Sequence, residues 1–400
     1  MKKKVTMMSV SPMIFDSRIQ NEAKSLREQG YTVTVIFVDD QKYIAGLANP
    51  EKSWNKYLSS MNGIKSVRVW LRSRMWTFLP GPLRKMAQAL EMFVKLGGLA
   101  IKHRASVYHC HDLTPGMFCM LGALVYRSHL IYDAHELELE QGNRSGLGRK
   151  IAFLYEKTML KWCRHAITVN PEIANHMEDM YGHERVHVIE NRPLFYSKED
   201  NSKSEFPVFK ASKANEKFIV YVGYLSDDRG IFETVAALKH LPQHYVFLIL
   251  GTGRIVEFRE KVMDLVNELE LDENRIRFVE PVEPDAVVPF LSHADLSLLL
   301  FRSGNSNNFS VSPNKFYQSV MARVPMLASD HDRLPELMND ANYGKLGMVV
   351  DASDSQLVAQ RIIDIVESND FKDNLDRMAG DSSWNHEAEK LVSLYETMGN

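Results

Sequence analysis

The chain has 400 residues, more than one hydrophobic core ordinarily serves, so two domains are expected. Hydrophobic residues make up 45% and charged residues 25%, a globular composition that excludes disordered and collagen-like chains, and no apolar run is long enough to span a bilayer. The net charge of −3 is unevenly divided: residues 1–195 hold 27 Lys and Arg against 18 Asp and Glu, and the remainder holds 21 against 33. Halves of opposite sign predict two surfaces with different partners.

Lys2, Lys3 and Lys4 ahead of Val5–Val10 have the outline of a secretory signal. The run is short, Ser11-Pro12 breaks it and no small-residue cleavage site follows, so a first buried strand is expected. Cys110, Cys119 and Cys163 make an odd count without framework spacing, which suits a reducing cytoplasm. Short apolar runs then alternate with helical-period segments, as in an α/β chain with parallel sheets. Strands are expected at Lys4–Ser9, Thr32–Val38, Ser66–Leu71, Val107–His109, Leu130–Tyr132, Ala166–Val169 and His187–Ile189. Helices are expected at Arg18–Gln29, Leu83–Arg104 and Leu147–Arg164.

The pattern stops near Asn191-Arg192-Pro193, and the polar stretch Tyr196–Lys217 reads as an interdomain connection. It restarts with strands at Phe218–Val222, Tyr245–Leu250, Ile276–Val279, Leu296–Leu300, Met326–Ala328 and Met348–Val350. Helices fall at Ile231–Leu241, Val256–Leu269, Asn314–Met321, Ser355–Glu367 and Trp384–Met398. Two consecutive doubly wound halves result, and a cleft between them is the default ligand position.

Three segments of the second half could meet an anion. In Tyr221–Gly230 a buried strand runs into a glycine turn, with Gly223 allowing close approach and Arg229 just before a helix. This reads as a diphosphate site or as a turn with a solvated arginine. Gly251-Thr252-Gly253 after a strand reads as a phosphate cradle or a plain tight turn, and lacks the full dinucleotide fingerprint. Ser312-Pro313-Asn314-Lys315 reads as a helix start whose free amides and lysine meet phosphate, or as an ordinary capped helix.

In the first half, His109-Cys110-His111-Asp112 looks like a metal cluster, since His109 and His111 share a strand face, but no paired ligand motif stands nearby. His111 at a strand end is better placed as a substrate contact, or is satisfied by the backbone. Asp133-Ala134-His135-Glu136 reads as an acid/base pair or as a cluster that caps a helix and pins the loop. Trp54–Arg104 carries ten Lys and Arg against one internal acid, Glu91, interleaved with Trp70, Trp76, Phe78, Met86, Met92 and Phe93. That mixture can hold an anionic membrane surface or be a solvated face; no nucleic-acid motif accompanies it.

Taken in order, these segments resemble family 4 of the retaining glycosyltransferases, in its Pro-Asn-Lys variant. The resemblance runs through Asp16-x-Arg18-x-x-x-Glu22, His109-x-His111-Asp112, Asp133-Ala134-His135-Glu136, Asn191-x-Pro193, Gly223 to Arg229-Gly230, Pro313-Asn314-Lys315 and Trp384 with the last helix. It implies the GT-B fold: two facing Rossmann-like domains with a cleft. The acceptor-side domain would be residues 1–195, the linker 196–217 and the nucleotide-sugar domain 218–382, with a helix at 383–400 crossing back. It implies a nucleoside-diphosphate sugar donor, a glycan or lipid-linked acceptor, and neither cofactor nor metal. Catalytic roles would fall to His111, Arg229 and Lys315. Gly223, Gly251, Thr252, Gly253, Ser312, Asn314 and Gln318 would help bind donor. Asp16, Arg18, Asp112, His135 and Glu136 would lie toward the acceptor or cleft.

Several positions depart from the family pattern. Ser310 and Gln318 stand where it carries glutamates, Tyr224 where it carries a basic residue, and Arg323 where a glycine is usual. Two rival functions share the architecture: a nucleotide-sugar 2-epimerase using Asp112, Asp133 and Glu136, and a non-catalytic subunit.

Overall fold

The computed structural model describes residues 3–11, 13–39, 50–139, 146–182, 186–199, 205–210, 215–252, 255–301, 313–331 and 333–398. The chain divides into two compact units, residues 1–191 with 387–400, and residues 192–386.

In the first unit seven parallel strands form one sheet. They are β1 (Lys4–Ser9), β2 (Thr32–Asp39), β3 (Lys65–Trp70), β4 (Val107–His111), β5 (His129–Ala134), β6 (His165–Thr168) and β7 (Val186–Val188). Their order is β3-β2-β1-β4-β5-β6-β7. β1 lies inside the sheet between β2 and β4, and Val5, Met7 and Met8 are buried although they point to opposite faces. A strand covered on both faces reads as a continuous apolar run, which is why composition alone located it. The sequence order reverses between β1 and β4, so the carboxyl ends of these two strands mark the position where ligands bind in such sheets. Helix α1 (Ser17–Glu28) starts beside that position. Asp16 caps it, accepting from the Ile19 amide at 3.1 Å, and Ile19, Ala23 and Leu26 are buried.

In the second unit β8 (Lys217–Tyr224), β9 (Tyr245–Thr252), β10 (Ile276–Val279), β11 (Leu296–Leu299), β12 (Met326–Ser329) and β15 (Gly347–Val350) form a parallel sheet. Its order is β10-β9-β8-β11-β12-β15, and a two-residue antiparallel pair, β13 (Asn339–Asp340) with β14 (Gly344–Lys345), stands apart. Here the order reverses between β8 and β11.

Three sequence expectations are corrected. The described part of 196–217 is not a free connection. Phe206 and Phe209 pack on Phe290 with ring centroids 5.1 Å apart, and Phe209 packs on Phe218 at 5.0 Å, so these residues join the core of the second unit. Strand β4 runs to His111 and β5 to Ala134, beyond the expected ends, which draws His111 and Asp133 into the sheet. Gly251-Thr252 continues β9 rather than forming a turn.

The last residues return to the first unit. The Glu387 carboxylate accepts from the Glu190 amide at 2.8 Å, the Tyr395 hydroxyl lies 2.9 Å from His109 Nδ1, and the Thr397 hydroxyl lies 3.0 Å from His165 Nε2.

Candidate functional site

At the carboxyl ends of β8 and β11 the second unit brings two cations to one aromatic ring. Gly223 sits at the end of β8, Arg229 precedes helix α2 (Ile231–Ala237), and Lys315 lies in the first turn of helix α3 (Pro313–Ala322). The Arg229 guanidinium carbon is 5.0 Å and Lys315 Nζ 5.7 Å from the Phe301 ring centroid. Lys315 Nζ also donates to the Tyr221 hydroxyl at 3.1 Å and lies 4.3 Å from that ring's centroid. Burial, and then the neighbouring Arg229 charge, lower the Lys315 pKa to about 7. Arg229 Nε is 3.4 Å from the Ser226 hydroxyl and 3.7 Å from Asp228.

The glycines serve this packing. Gly223 has φ +143°, and a Cβ there would stand 2.5 Å from Lys315 Cε. Gly230 has φ +67°, and its Cβ would stand 2.2 Å from that of Leu300. Gly251 is buried against Leu225, a packing role rather than a cradle. Asn314 and Gln318 are half-buried on α3. Gly253, Ser310 and Ser312 lie outside the described residues. Tyr221 and Phe301 were not singled out in the sequence, since one reads as a strand hydrophobe and the other as an apolar residue just past a strand. Arg323 takes the left-handed backbone (φ 62°) that its family counterpart's glycine would adopt freely. Its side chain offsets the strain by donating to Asp376 at 2.9 Å and to the Met321 carbonyl at 2.8 Å.

In the first unit the sequence candidates separate into an interior set and a rim. Arg18 is 1% exposed. It donates to both oxygens of Asp133 at 2.9 Å, to the Ile189 carbonyl at 2.6 Å, and lies 3.2 Å from Glu22. His111 is fully buried, its Nδ1 3.2 Å from Asp133. Both side chains are turned into the interior of the first unit, Arg18 toward Asp133 and the Ile189 carbonyl and His111 toward Asp133. Asp133 is raised by burial but held well below the usual carboxylate range by Arg18 and then His135. Burial, reinforced by Asp133, raises Glu22 well above that range.

The rim is formed by Asp16, Asp112 and His135, all half-buried, and the exposed Glu136. Asp112 ends β4 in the left-handed region (φ 65°), its amide bonded to the Asp133 carbonyl at 2.8 Å. Burial raises its carboxyl to about 6. Burial lowers His135, but Asp112 at 3.9 Å and Asp133 at 3.2 Å outweigh that and push it up to about 10. The rim thus offers a cationic imidazole between carboxylates at the switch point of the first sheet.

A family model for Glycosyltransferase Family 4 matches residues 17–191, and one for Glycosyl transferases group 1 matches residues 202–381. The chain belongs to the glycosyltransferases. No curated protein matches its sequence. Among solved structures this glycosyltransferase is similar to sucrose-phosphate synthase from Thermosynechococcus elongatus, with TM-score 0.70, 16% identity and 99% of each chain covered. It is also similar to HepE from Anabaena in complex with UDP-glucose, with TM-score 0.70, 14% identity, and 99% and 100% covered. A UDP-N-acetylglucosamine 2-epimerase from Listeria monocytogenes follows with TM-score 0.62, 12% identity, and 98% and 95% covered. At these identities the likeness is one of fold, and the fold is GT-B, with a Rossmann-like parallel sheet in each unit.

The basic aromatic segment of the glycosyltransferase is used in two ways. Arg68 is spent inside: it pairs with Asp39 and lies 4.1 Å from the ring centroids of both Trp54 and Trp70. Glu91 binds the Arg72 and Ser73 amides and Lys95. By contrast Met75, Trp76 and Phe78 are exposed, and so are Leu83, Met86, Leu90, Phe93 and Val94 at helical spacing on Gly81–Lys102. Arg72, Lys85 and Lys102 are exposed on the same segment. Leu147, Ile151 and Leu154 on Gly146–Trp162 add exposed apolar surface outside the segment the sequence marked. Among the described residues no helix is long and apolar enough to cross a membrane.

Proposed function

We propose that this glycosyltransferase takes its sugar from a nucleoside-diphosphate donor held at the carboxyl ends of β8 and β11. The observation that carries the reading is the convergence of Arg229 and Lys315 on Phe301 at the switch point. Two cations there, beside the start of α3, match the charge of a pyrophosphate. As the glycosidic bond breaks, they stabilise the charge gathering on the leaving diphosphate, without a metal. Gln318 serves the ribose through neutral hydrogen bonds. The HepE complex with UDP-glucose supports a donor of this class. Transfer is with retention of configuration, to a glycan or lipid-linked acceptor in cell-surface glycoconjugate synthesis, with Asp112 and His135 on the acceptor side.

The test is a thermal-shift screen across nucleoside diphosphates, followed by incubation of the matching sugar donor with lipid-extract acceptors. A rise in melting temperature with one base and transfer of labelled sugar are expected. No stabilisation by any nucleotide sinks the reading, and an epimer formed from donor alone replaces transfer with isomerisation.

Lys315 gives a pH signature. With a pKa of about 7 it is largely neutral at pH 8, whereas a bound diphosphate favours its protonated form. The complex then holds more protons than the free enzyme above pH 7, so affinity falls as pH rises from 7 to 9, by up to about tenfold per unit. Calorimetry in two buffers should register proton uptake, and Lys315→Met should abolish both uptake and slope. The same slope in the variant assigns the titration elsewhere.

Gly223→Ala should strain the backbone by about 1–3 kcal/mol and displace Lys315, weakening diphosphate binding. Unchanged binding by calorimetry would show that the lysine's position does not matter.

The exposed apolar stripe with its basic residues fits the surface of an anionic membrane, where a lipid-linked acceptor would lie. Cosedimentation with phosphatidylglycerol vesicles is expected, weakened by high salt and lost in a Phe78→Ser/Leu90→Ser/Phe93→Ser variant. Equal binding to neutral phosphatidylcholine vesicles would contradict the electrostatic part.

A further inference from the structure

We propose, resting on the diphosphate reading above, that Asp228 acts through Ser226 as the positioning residue for the Arg229 guanidinium, and that its charge limits how tightly the freed diphosphate product is held. Ser226, Asp228 and Arg229 lie in one turn after β8, closed by the bond from the Arg229 amide to the Ser226 carbonyl at 3.2 Å. Gly230, in the left-handed region at φ +67°, then turns the chain into α2.

The guanidinium is held at one edge and one face and is open at its forked end. Arg229 Nε lies 3.4 Å from the Ser226 hydroxyl oxygen and 3.7 Å from Asp228 Oδ1. The Ser226 hydroxyl donates to Asp228 Oδ1, so its oxygen is left to accept from the Arg229 Nε–H. Phe301 lies over the face, its ring centroid 5.0 Å from the guanidinium carbon. Among the described residues the two Nη groups, the fork that grips a phosphate through paired bonds, have no hydrogen-bond partner. A guanidinium fixed by its edge loses less freedom when its fork meets the ligand, and that preorganisation is what the Asp228–Ser226 pair contributes.

Asp228 also sets the charge that the diphosphate meets. After burial, the charged groups acting on Lys315 are Arg229, which lowers its pKa, and Asp228, which raises it, and Tyr221 is the titratable group that Lys315 touches. Arg229 and Asp228 offset one another, so Lys315 decides the net charge of the cluster. The esterified diphosphate of a donor carries about two negative charges, and the released diphosphate about three once its terminal phosphate ionises above about pH 6. A carboxylate beside the two cations therefore opposes the product more than the donor. The Arg229 and Asp228 side chains are 30% and 31% exposed, so solvent screens the pair and keeps the effect to a few-fold. One residue thus holds the arginine for the reaction and loosens the grip on what the reaction leaves.

The experiment uses the full-length protein, first without ligand and then with inorganic pyrophosphate as a probe that carries no base. In wild type the Arg229 Nε–H resonance, assigned by its absence from Arg229→Lys, should exchange with water more slowly than that of an exposed arginine, and Asp228→Ala should remove the protection. Asp228→Asn keeps an oxygen for Ser226 but no charge. It should recover most of the protection and bind pyrophosphate about two- to fivefold more tightly at pH 6. Because Asp228 favours protonated Lys315, its affinity should also begin to fall at a lower pH than in wild type. An Nε–H that is unprotected in wild type, or equally protected in Asp228→Ala, overturns the positioning role. Pyrophosphate affinity that is unchanged or weaker in Asp228→Asn, or a pH profile that does not move, overturns the charge role. If Asp228→Ala does not fold, the wild-type spectrum and Asp228→Asn decide. Wild-type protein that binds neither pyrophosphate nor any nucleoside diphosphate sinks the diphosphate reading itself and the charge role with it, whereas the exchange measurement still decides how Arg229 is held.

Discussion

Arg229→Ala is expected to lower turnover about 10²–10³-fold while the circular-dichroism spectrum and melting temperature stay close to wild type. The side chain is partly exposed and its neighbours are the hydroxyl of Ser226 and the carboxylate of Asp228, so removing it leaves no buried group stranded. Its contribution arises as charge develops on the departing diphosphate, so kcat should fall more than KM rises. Lys315→Ala should fall in the same range, and the double variant should lose less than the product of the two, because both cations act on one group. Turnover within a few-fold of wild type in Arg229→Ala would remove the electrostatic mechanism.

The second large effect is on stability. Arg18→Met removes one partner of a fully buried ion pair and leaves the Asp133 carboxylate in the interior without its bidentate cation. Breaking such a pair costs about 3–5 kcal/mol. For a unit of this size that lowers the melting temperature by roughly 6–20 °C, read by calorimetry on the transition of the first unit. Arg18→Lys should recover only part of the loss, since an ammonium cannot span both oxygens of Asp133 and reach the Ile189 carbonyl. A loss below about 1 kcal/mol in Arg18→Met would mean that the neighbouring carboxylates neutralise themselves by taking up protons.

The strands were legible because those of a parallel sheet covered on both faces are nearly continuous apolar runs: Val5–Met8, broken only by Thr6, and Ile219–Tyr221 declare themselves. The helix Gly116–Tyr126 was not, because it is apolar nearly all round and carries no polar face to set a period. The anion-binding half of the site was readable, since Gly223, Arg229 and Lys315 each follow a strand or open a helix, where local rules apply. What those rules could not supply was Tyr221 and Phe301, hydrophobes whose role appears only when two distant segments meet.

The interior cluster failed for a related reason. Strand alternation put His109 and His111 on one face, but their carboxylates come from residues 22 and 133. Arg18 was assigned to substrate through the family resemblance, and His111 through that resemblance and its place at a strand end. Here each is drawn inward by Asp133. The polar composition of 196–217 similarly concealed Phe206 and Phe209, two rings that tie the segment to the second core.

The return of residues Glu387–Asn400 to the first unit has a consequence for synthesis. Tyr395 closes over His109, and Glu387 covers the amide of Glu190. A ribosome that has released residues 1–191 has therefore released an unfinished body, whose interior imidazole waits for a hydroxyl nearly three hundred residues downstream. The second unit can condense from contiguous chain, whereas the first reaches its final packing only once the residues around Tyr395 have been made. A deletion that removes Glu387 and Tyr395 therefore disturbs the first unit, although it lies about two hundred residues beyond residue 191.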